Sequence, residues 1–202
     1  EDDKEEAVVV ASPKETSRLR RQPISASLFG EKDLQSLGVA DMKGLSAYAP
    51  NFYMPDYGSR LTSAVYIRGI GSRINTPAVG LYVDNVPFAD KSAYDFSFLD
   101  VERVAVLRVP QGTLYGRNSM GGLIRVFTAD PFVRKGADVS VGASTRNGGR
   151  KAQTVAYMRP SERVALSVGV FYEGQDGFYR NAFSGGSADA SDAGGGRLRL
   201  AW

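Results

Sequence analysis

Asp84, Asp100 and Glu102 are the carboxylates placed closest to a general acid–base pair, and Ser119 is a lone hydroxyl in a glycine-rich stretch. Neither leads to catalysis. The chain has no histidine and no cysteine. Ser119 therefore has no imidazole to activate it, and thiolate chemistry, disulfides and the usual structural zinc sites are excluded. The three acids fall at a turn and at a strand entrance, where carboxylates commonly serve as caps or ion-pair partners. Gly69-Ile-Gly71 lacks the Lys-Ser/Thr and the βαβ surroundings of a phosphate loop. No catalytic set, metal site or cofactor is expected. What remains is binding chemistry. Tyr57, Arg60, Arg73 and Tyr94 fall between strand-like runs, and such side chains can stack on aromatic ligands or pair with anionic ones. Arg68 and Arg108 fall inside apolar runs, where a charge is costly unless paired. Arg18, Arg20 and Arg21 read as a solvated linker.

The elements that position these residues divide the 202-residue chain into three parts. Residues 1–22 form an extended tail with one apolar, β-prone island: Ala7, Val8, Val9, Val10 and Ala11. Such an island either adds as a strand to a partner or forms the first strand of the domain that follows. Residues 23–133 read as an α+β unit, a small mixed sheet with two short helices. Strands are predicted over residues 24–29, 63–68, 101–109 and 123–128, with a hairpin of 79–83 and 86–88 around Asp84-Asn85. Helices are predicted over 31–37 and 41–48, with Asp41 as N-cap and Pro50 as the stop. The glycine-rich loop between the last two strands asks for backbone freedom at Gly112, Gly116, Gly121 and Gly122.

Residues 134–202 change period. Ala137, Val139, Val141 and Ala143 alternate with polar residues, as do Val164, Leu166, Val168, Val170 and Tyr172, then Leu198, Leu200 and Trp202. Turn clusters at 146–149, 160–161 and 183–196 separate the runs. Two structures share this pattern: a soluble antiparallel meander, and membrane-spanning β-strands with lipid on one face. Aromatics near the strand ends, Tyr157, Phe171, Tyr172, Phe178, Tyr179 and Trp202, favour the membrane reading. No run of 18 or more apolar residues exists, so no spanning helix is predicted. The net charge of +3, with basic residues scattered, gives no footprint for nucleic acid.

Several motifs, in order, resemble one family. Leu107-Arg-Val-Pro-Gln-Gly-Thr-Leu-Tyr-Gly-Arg-Asn-Ser-Met-Gly-Gly-Leu-Ile-Arg-Val126 resembles the plug signature of TonB-dependent outer-membrane transporters, with Val109 where the family usually has glycine. Pro23-Ile-Ser-Ala-Ser-Leu28, Ala-Pro-Asn at 49–51, Tyr66-Ile-Arg-Gly-Ile-Gly71, Val79-Gly-Leu-Tyr-Val-Asp-Asn-Val-Pro87 and Asp100-Val-Glu-Arg-Val104 resemble further plug motifs. Residues 7–13 resemble a TonB box.

The resemblance implies an N-terminal tail that pairs with periplasmic TonB. It implies a plug, then the start of an antiparallel transmembrane β-barrel in outer-membrane lipid. A wide barrel needs such a filler, since an unplugged lumen leaks. The expected activity is TonB-dependent import of a scarce solute, with an iron chelate (siderophore) first and haem, cobalamin or glycan as alternatives. A surface receptor or docking module without transport is the other reading, and a surface lipoprotein joins the candidate partners. Ligand contacts are expected in apical loops at 55–62, 72–77 and 88–94. Arg68 and Arg108 are expected to pair with acids of the barrel wall, the alternative being pairing within the plug to Glu102 or Asp100. Four strands cannot close a barrel, so the sequence is expected to be the leading part of a longer receptor.

Overall fold

The computed structural model describes residues 25–57, 63–72, 76–110, 112–115, 118–145, 147–183 and 185–202. The tail island Ala7–Ala11 lies outside the described residues. The chain divides into two compact units at Phe127/Thr128.

The first unit is built on a five-stranded mixed sheet in the order β1-β7-β8-β5-β6. β1 (Ala26–Gly30) pairs antiparallel with β7 (Val101–Leu107), and β5 (Val79–Val83) runs parallel to β8 (Gly122–Thr128). β6 (Val86–Phe88) closes the expected hairpin. Its turn residues Asp84 and Asn85 have φ of 47° and 69°, the left-handed pair that matches strand twist in a two-residue turn. Two of the sheet's strands, β7 and β8, read as near-continuous apolar runs because both of their faces are covered. Val104, Val106, Ile124 and Val126 belong to the larger core with Leu34, Met42, Leu45, Ile67 and Phe98; Ala105, Leu107 and Leu123 pack on the other face with Leu28, Tyr82 and Phe127.

Both expected helices form. In α1 (Glu31–Ser36) the Asp33 carboxylate accepts the Gly30 N–H at 2.9 Å. In α2 (Met42–Leu45) Asp41 Oδ1 accepts the Gly44 N–H at 2.6 Å, the expected cap. α2 is shorter than the expected 41–48. Past Leu45 the backbone tightens to i→i+3 bonds, Ala47 to Gly44 and Tyr48 to Leu45, and the Ser46 hydroxyl donates to Lys43 O at 2.7 Å. The run expected as one strand over 63–68 yields only β3 (Tyr66–Ile67), which turns back into β4 (Ile70–Gly71) and pairs with β2 (Phe52–Tyr53) in a separate small sheet.

The glycine-rich loop holds a turn of helix not expected from the sequence, α3 (Gly112–Tyr115). Of its described glycines, Gly122 carries the stringent demand. Its φ is +150°, and a Cβ there would lie 2.5 Å from the Leu107 carbonyl oxygen, so glycine alone lets β8 start this close to β7. Val109 is not among the residues with positive φ, so valine is accommodated there.

The second unit is a four-stranded antiparallel sheet, β12-β11-β10-β9. Its strands are β9 (Gly136–Ser144), β10 (Gly149–Ser161), β11 (Val164–Gln175) and β12 (Ser191–Ala201). Two stretches expected as turns are strand. Pro160 and Ser161 end β10 beyond a register shift after Met158. The glycine run 194–196 lies in β12, because a Cβ on Gly195 would sit 2.8 Å from the Phe171 ring that covers it. The pairing register decides which side chains share a face. Val168 lies opposite Ala156 and Leu198, Leu166 opposite Met158 and Leu200, and Thr154 opposite Val139 and Val170. The alternate face carries Ser140, Gln153, Ser167, Arg197 and Arg199. The apolar face is open: Val141 is 79% exposed and Leu198 70%. Tyr157 departs from the expected girdle, since it lies buried on the polar-face side opposite Ser167. Among the described residues no helix is long and apolar enough to cross a membrane.

Candidate functional site

Of the first expected apical loop, residues 55–57 are described, and Tyr57 is exposed at its start. Arg60 and Arg73 lie outside the described residues. The third loop, 88–94, holds a 3-10 turn (Lys91–Ala93) whose N-cap, Asp90, accepts the Ser92 N–H at 2.9 Å. That bond holds the Asp90 carboxyl below the usual carboxylate range. Tyr94 does not serve as expected. It is buried in the larger core, its hydroxyl donates to Val79 O at 2.6 Å, and burial pushes its pKa up. A phenol so enclosed ties the loop to β5 and offers a ligand nothing.

The ends of the first and third loops meet at a residue that the loop argument passes over. Lys43 Nζ lies 2.7 Å from Asp95 Oδ2 and 3.2 Å from Asp56 Oδ1. Burial works against the lysine's charge, but the two carboxylates outweigh it and the Lys43 pKa is raised. The clue available in the sequence was a lysine in a capped helix with acids beside two loops, which is too common a pattern to single out.

The structure separates the two arginines expected to act alike. Arg68 is not within a strand. It occupies the β3–β4 turn with φ 52°, next to Gly69 at φ 79°, and its side chain is exposed while its N–H donates to Asn51 O at 2.9 Å. Its guanidinium therefore stays in water and needs no partner to offset burial. Arg108 sits just past β7 and is half-buried. Among the described residues the acceptors of its guanidinium are neutral: Ser25 Oγ at 3.1 Å, Ser27 Oγ at 2.5 Å and Pro50 O at 3.3 Å. The alternative pairing with Glu102 or Asp100 is not made. Asp100 instead holds φ 59° at the entrance to β7.

A further buried charge in this unit, not expected from the sequence, is Arg125. It is 1% exposed, donates to Asn85 Oδ1 at 2.8 Å, and its guanidinium stands 4.7 Å from the Phe127 ring centroid. Arg103 stacks on the same ring at 4.4 Å. The alternation Leu123, Arg125, Phe127 on one face of β8 was the available signal, and stacking on aromatics is what lets these guanidinia leave water.

Within the second unit Arg199 Nη1 donates to Thr128 Oγ1 at 2.8 Å and Ala129 O at 2.9 Å. The connection between β11 and β12 is ordered by Asp189. Its carboxylate accepts the N–H groups of Phe178 (2.8 Å) and Tyr179 (2.8 Å), which hold its pKa low, and Phe178, Tyr179 and Phe183 are left exposed.

Comparison with known proteins agrees with this arrangement. A family model described as the TonB-dependent Receptor Plug Domain matches residues 18–123. The pesticin receptor of Yersinia pestis is 32% identical over 149 residues, covering 72% of this chain and 22% of the receptor. A vitamin B12 transporter, BtuB of Vibrio vulnificus, is 26% identical over 151 residues, 69% of this chain and 23% of that protein. Among solved structures, the ferric yersiniabactin uptake receptor FyuA from Yersinia pestis superposes with a TM-score of 0.74 at 29% identity, covering 88% of this chain and 29% of the receptor. The chain thus spans about a quarter of the length of these relatives.

Proposed function

The chain belongs to the TonB-dependent receptors, a family of outer-membrane β-barrel proteins, and from that premise we propose that it forms the plug and first wall strands of a receptor that imports an iron chelate. The observation that carries the reading is the succession of two unlike units along the chain. A mixed-sheet domain with both faces of its central strands covered is followed by an antiparallel sheet whose apolar face is open. A soluble sheet hides that face; a membrane wall presents it to lipid. The ferric yersiniabactin receptor among the relatives supports iron, and the vitamin B12 transporter keeps cobalamin as the second reading. Tyr57, Arg60 and Arg73 are the proposed ligand contacts on the plug. Arg108 is the proposed plug contact with the wall.

Energy coupling is assigned to residues 7–11. A β-prone strand on a tether can add to an exposed sheet edge of TonB through main-chain bonds. Cells carrying the intact receptor should accumulate radiolabelled ferric chelate only when the inner-membrane motor is present. Val9→Pro removes one main-chain donor from the added strand and should abolish uptake while leaving chelate binding intact. Uptake that continues without the motor contradicts the proposal, and uptake of labelled cobalamin instead selects the second reading.

A further inference from the structure

Lys43 is embraced by two carboxylates of unequal standing. The Asp95 side chain is 2% exposed and that of Asp56 is 65% exposed, with Lys43 between them at 24%. The inner arm has a rigid frame behind it. Phe98 N–H donates to Ala40 O at 2.8 Å and Asp41 bridges Ser97, so the segment carrying Asp95 is zipped by its backbone to the residues that launch α2. Asp41 then caps the helix that presents Lys43. The outer arm ends on Asp56, the residue before Tyr57.

We infer that Lys43 is a positioning residue: with Asp95 as its fixed base, it holds Asp56 and thereby sets where Tyr57 stands at the start of the first apical loop. The inference rests on the reading of Tyr57 as a ligand contact. The asymmetry of the arms explains why one lysine suits the task. A charge pair whose carboxylate is buried keeps its geometry, because separating it leaves an uncompensated charge out of water. An exposed pair is weak and exchanges readily with solvent. The lysine is thus locked at its inner end and yielding at its outer end. Residues 55–57 are held in place in the unliganded receptor and can still adjust when a ligand meets Tyr57. The raised Lys43 pKa keeps the ammonium charged throughout the neutral range.

The test uses the intact receptor and amide hydrogen exchange over residues 52–57. Asp56→Asn leaves the inner arm untouched and should lower protection at the Met54, Asp56 and Tyr57 amides roughly threefold once rates are corrected for the intrinsic effect of the new side chain, the size an exposed ion pair supports, with residues 45–49 unchanged. Lys43→Met should do at least as much, and Lys43→Arg, which keeps the charge, should restore the parent rates. Unchanged exchange at 54–57 in Asp56→Asn overturns the inference, as does a Lys43→Arg receptor no better than Lys43→Met. With ferric yersiniabactin as the probe, Asp56→Asn should weaken binding severalfold and Tyr57→Ala should weaken it further. If Tyr57→Ala binds the probe as the parent does, the ligand reading fails on its own, while the exchange data still decide whether Lys43 places the loop.

Discussion

Val104 and Val168 both sit mid-strand in valine-rich runs, yet Val104 is fully buried and Val168 is 37% exposed. The difference lies in what covers the sheet. In the first unit α1, α2 and the loops cover one face of the mixed sheet and a smaller aromatic and aliphatic cluster covers the other. In the second unit the side chains of one face are apolar and open, while those of the other are mainly polar. Alternation alone does not tell a strand which solvent it will meet. Whether both faces or one are apolar, and which face is left open, does.

Mutations that shrink side chains should separate the two units most sharply. Ile67→Ala empties a site that is 0% exposed and should cost about 2–5 kcal/mol, read by thermal or denaturant unfolding. The same truncation at Leu200, 55% exposed, should cost far less in any medium. Equal effects would mean that the two sheets are covered alike. Charge insertion should divide the two faces of the second sheet. In the membrane, Val168→Arg should cost roughly 2–4 kcal/mol and impair assembly, whereas Ser140→Arg on the polar face should assemble normally. Ser167, the tolerant site suggested by alternation alone, is a poor control because it is buried at 2%. A smaller effect is expected at the α2 cap: Asp41→Ala should lower stability by about 1 kcal/mol and leave the second unit untouched. The smallest concerns pH. The Asp189 pKa is lowered by the N–H groups of Phe178 and Tyr179. Its contribution is therefore present above the ordinary carboxylate pKa near 3.9 and is lost as pH falls through the lowered value. Protection of those two amides should fall on acidification, and Asp189→Asn should weaken it at neutral pH.

Much of the framework was legible in the sequence because it follows from local chemistry. Asp84-Asn85 announces a left-handed turn, Asp41 announces a cap, and strict alternation announces β11. What was not legible depends on contacts distant in sequence. Arg68 looked like a strand residue until the β3–β4 turn placed it at φ 52°. Gly194 to Gly196 looked like a turn until pairing with β11 brought the Phe171 ring over Gly195. Tyr94 looked like a ligand contact, since nothing local signals that its hydroxyl reaches Val79 O. Lys43 was passed over because its carboxylates lie on other segments of the chain, and Arg125 because its acceptor, Asn85, lies in the β5–β6 turn, although Phe127 on its own strand was in view.

Whether the open face of the second unit meets lipid can be measured directly. The chain has no cysteine, so single cysteines can be placed at each position from 164 to 171 of the intact receptor in outer membranes and spin-labelled. Collision with oxygen reports lipid, collision with a water-soluble nickel chelate reports water, and a site enclosed in protein shows little of either. A lipid-facing sheet should show period-two oxygen access, high at 164, 166, 168 and 170 and low at 165, 167, 169 and 171. The opposite phase, or nickel access at the even positions, would contradict it.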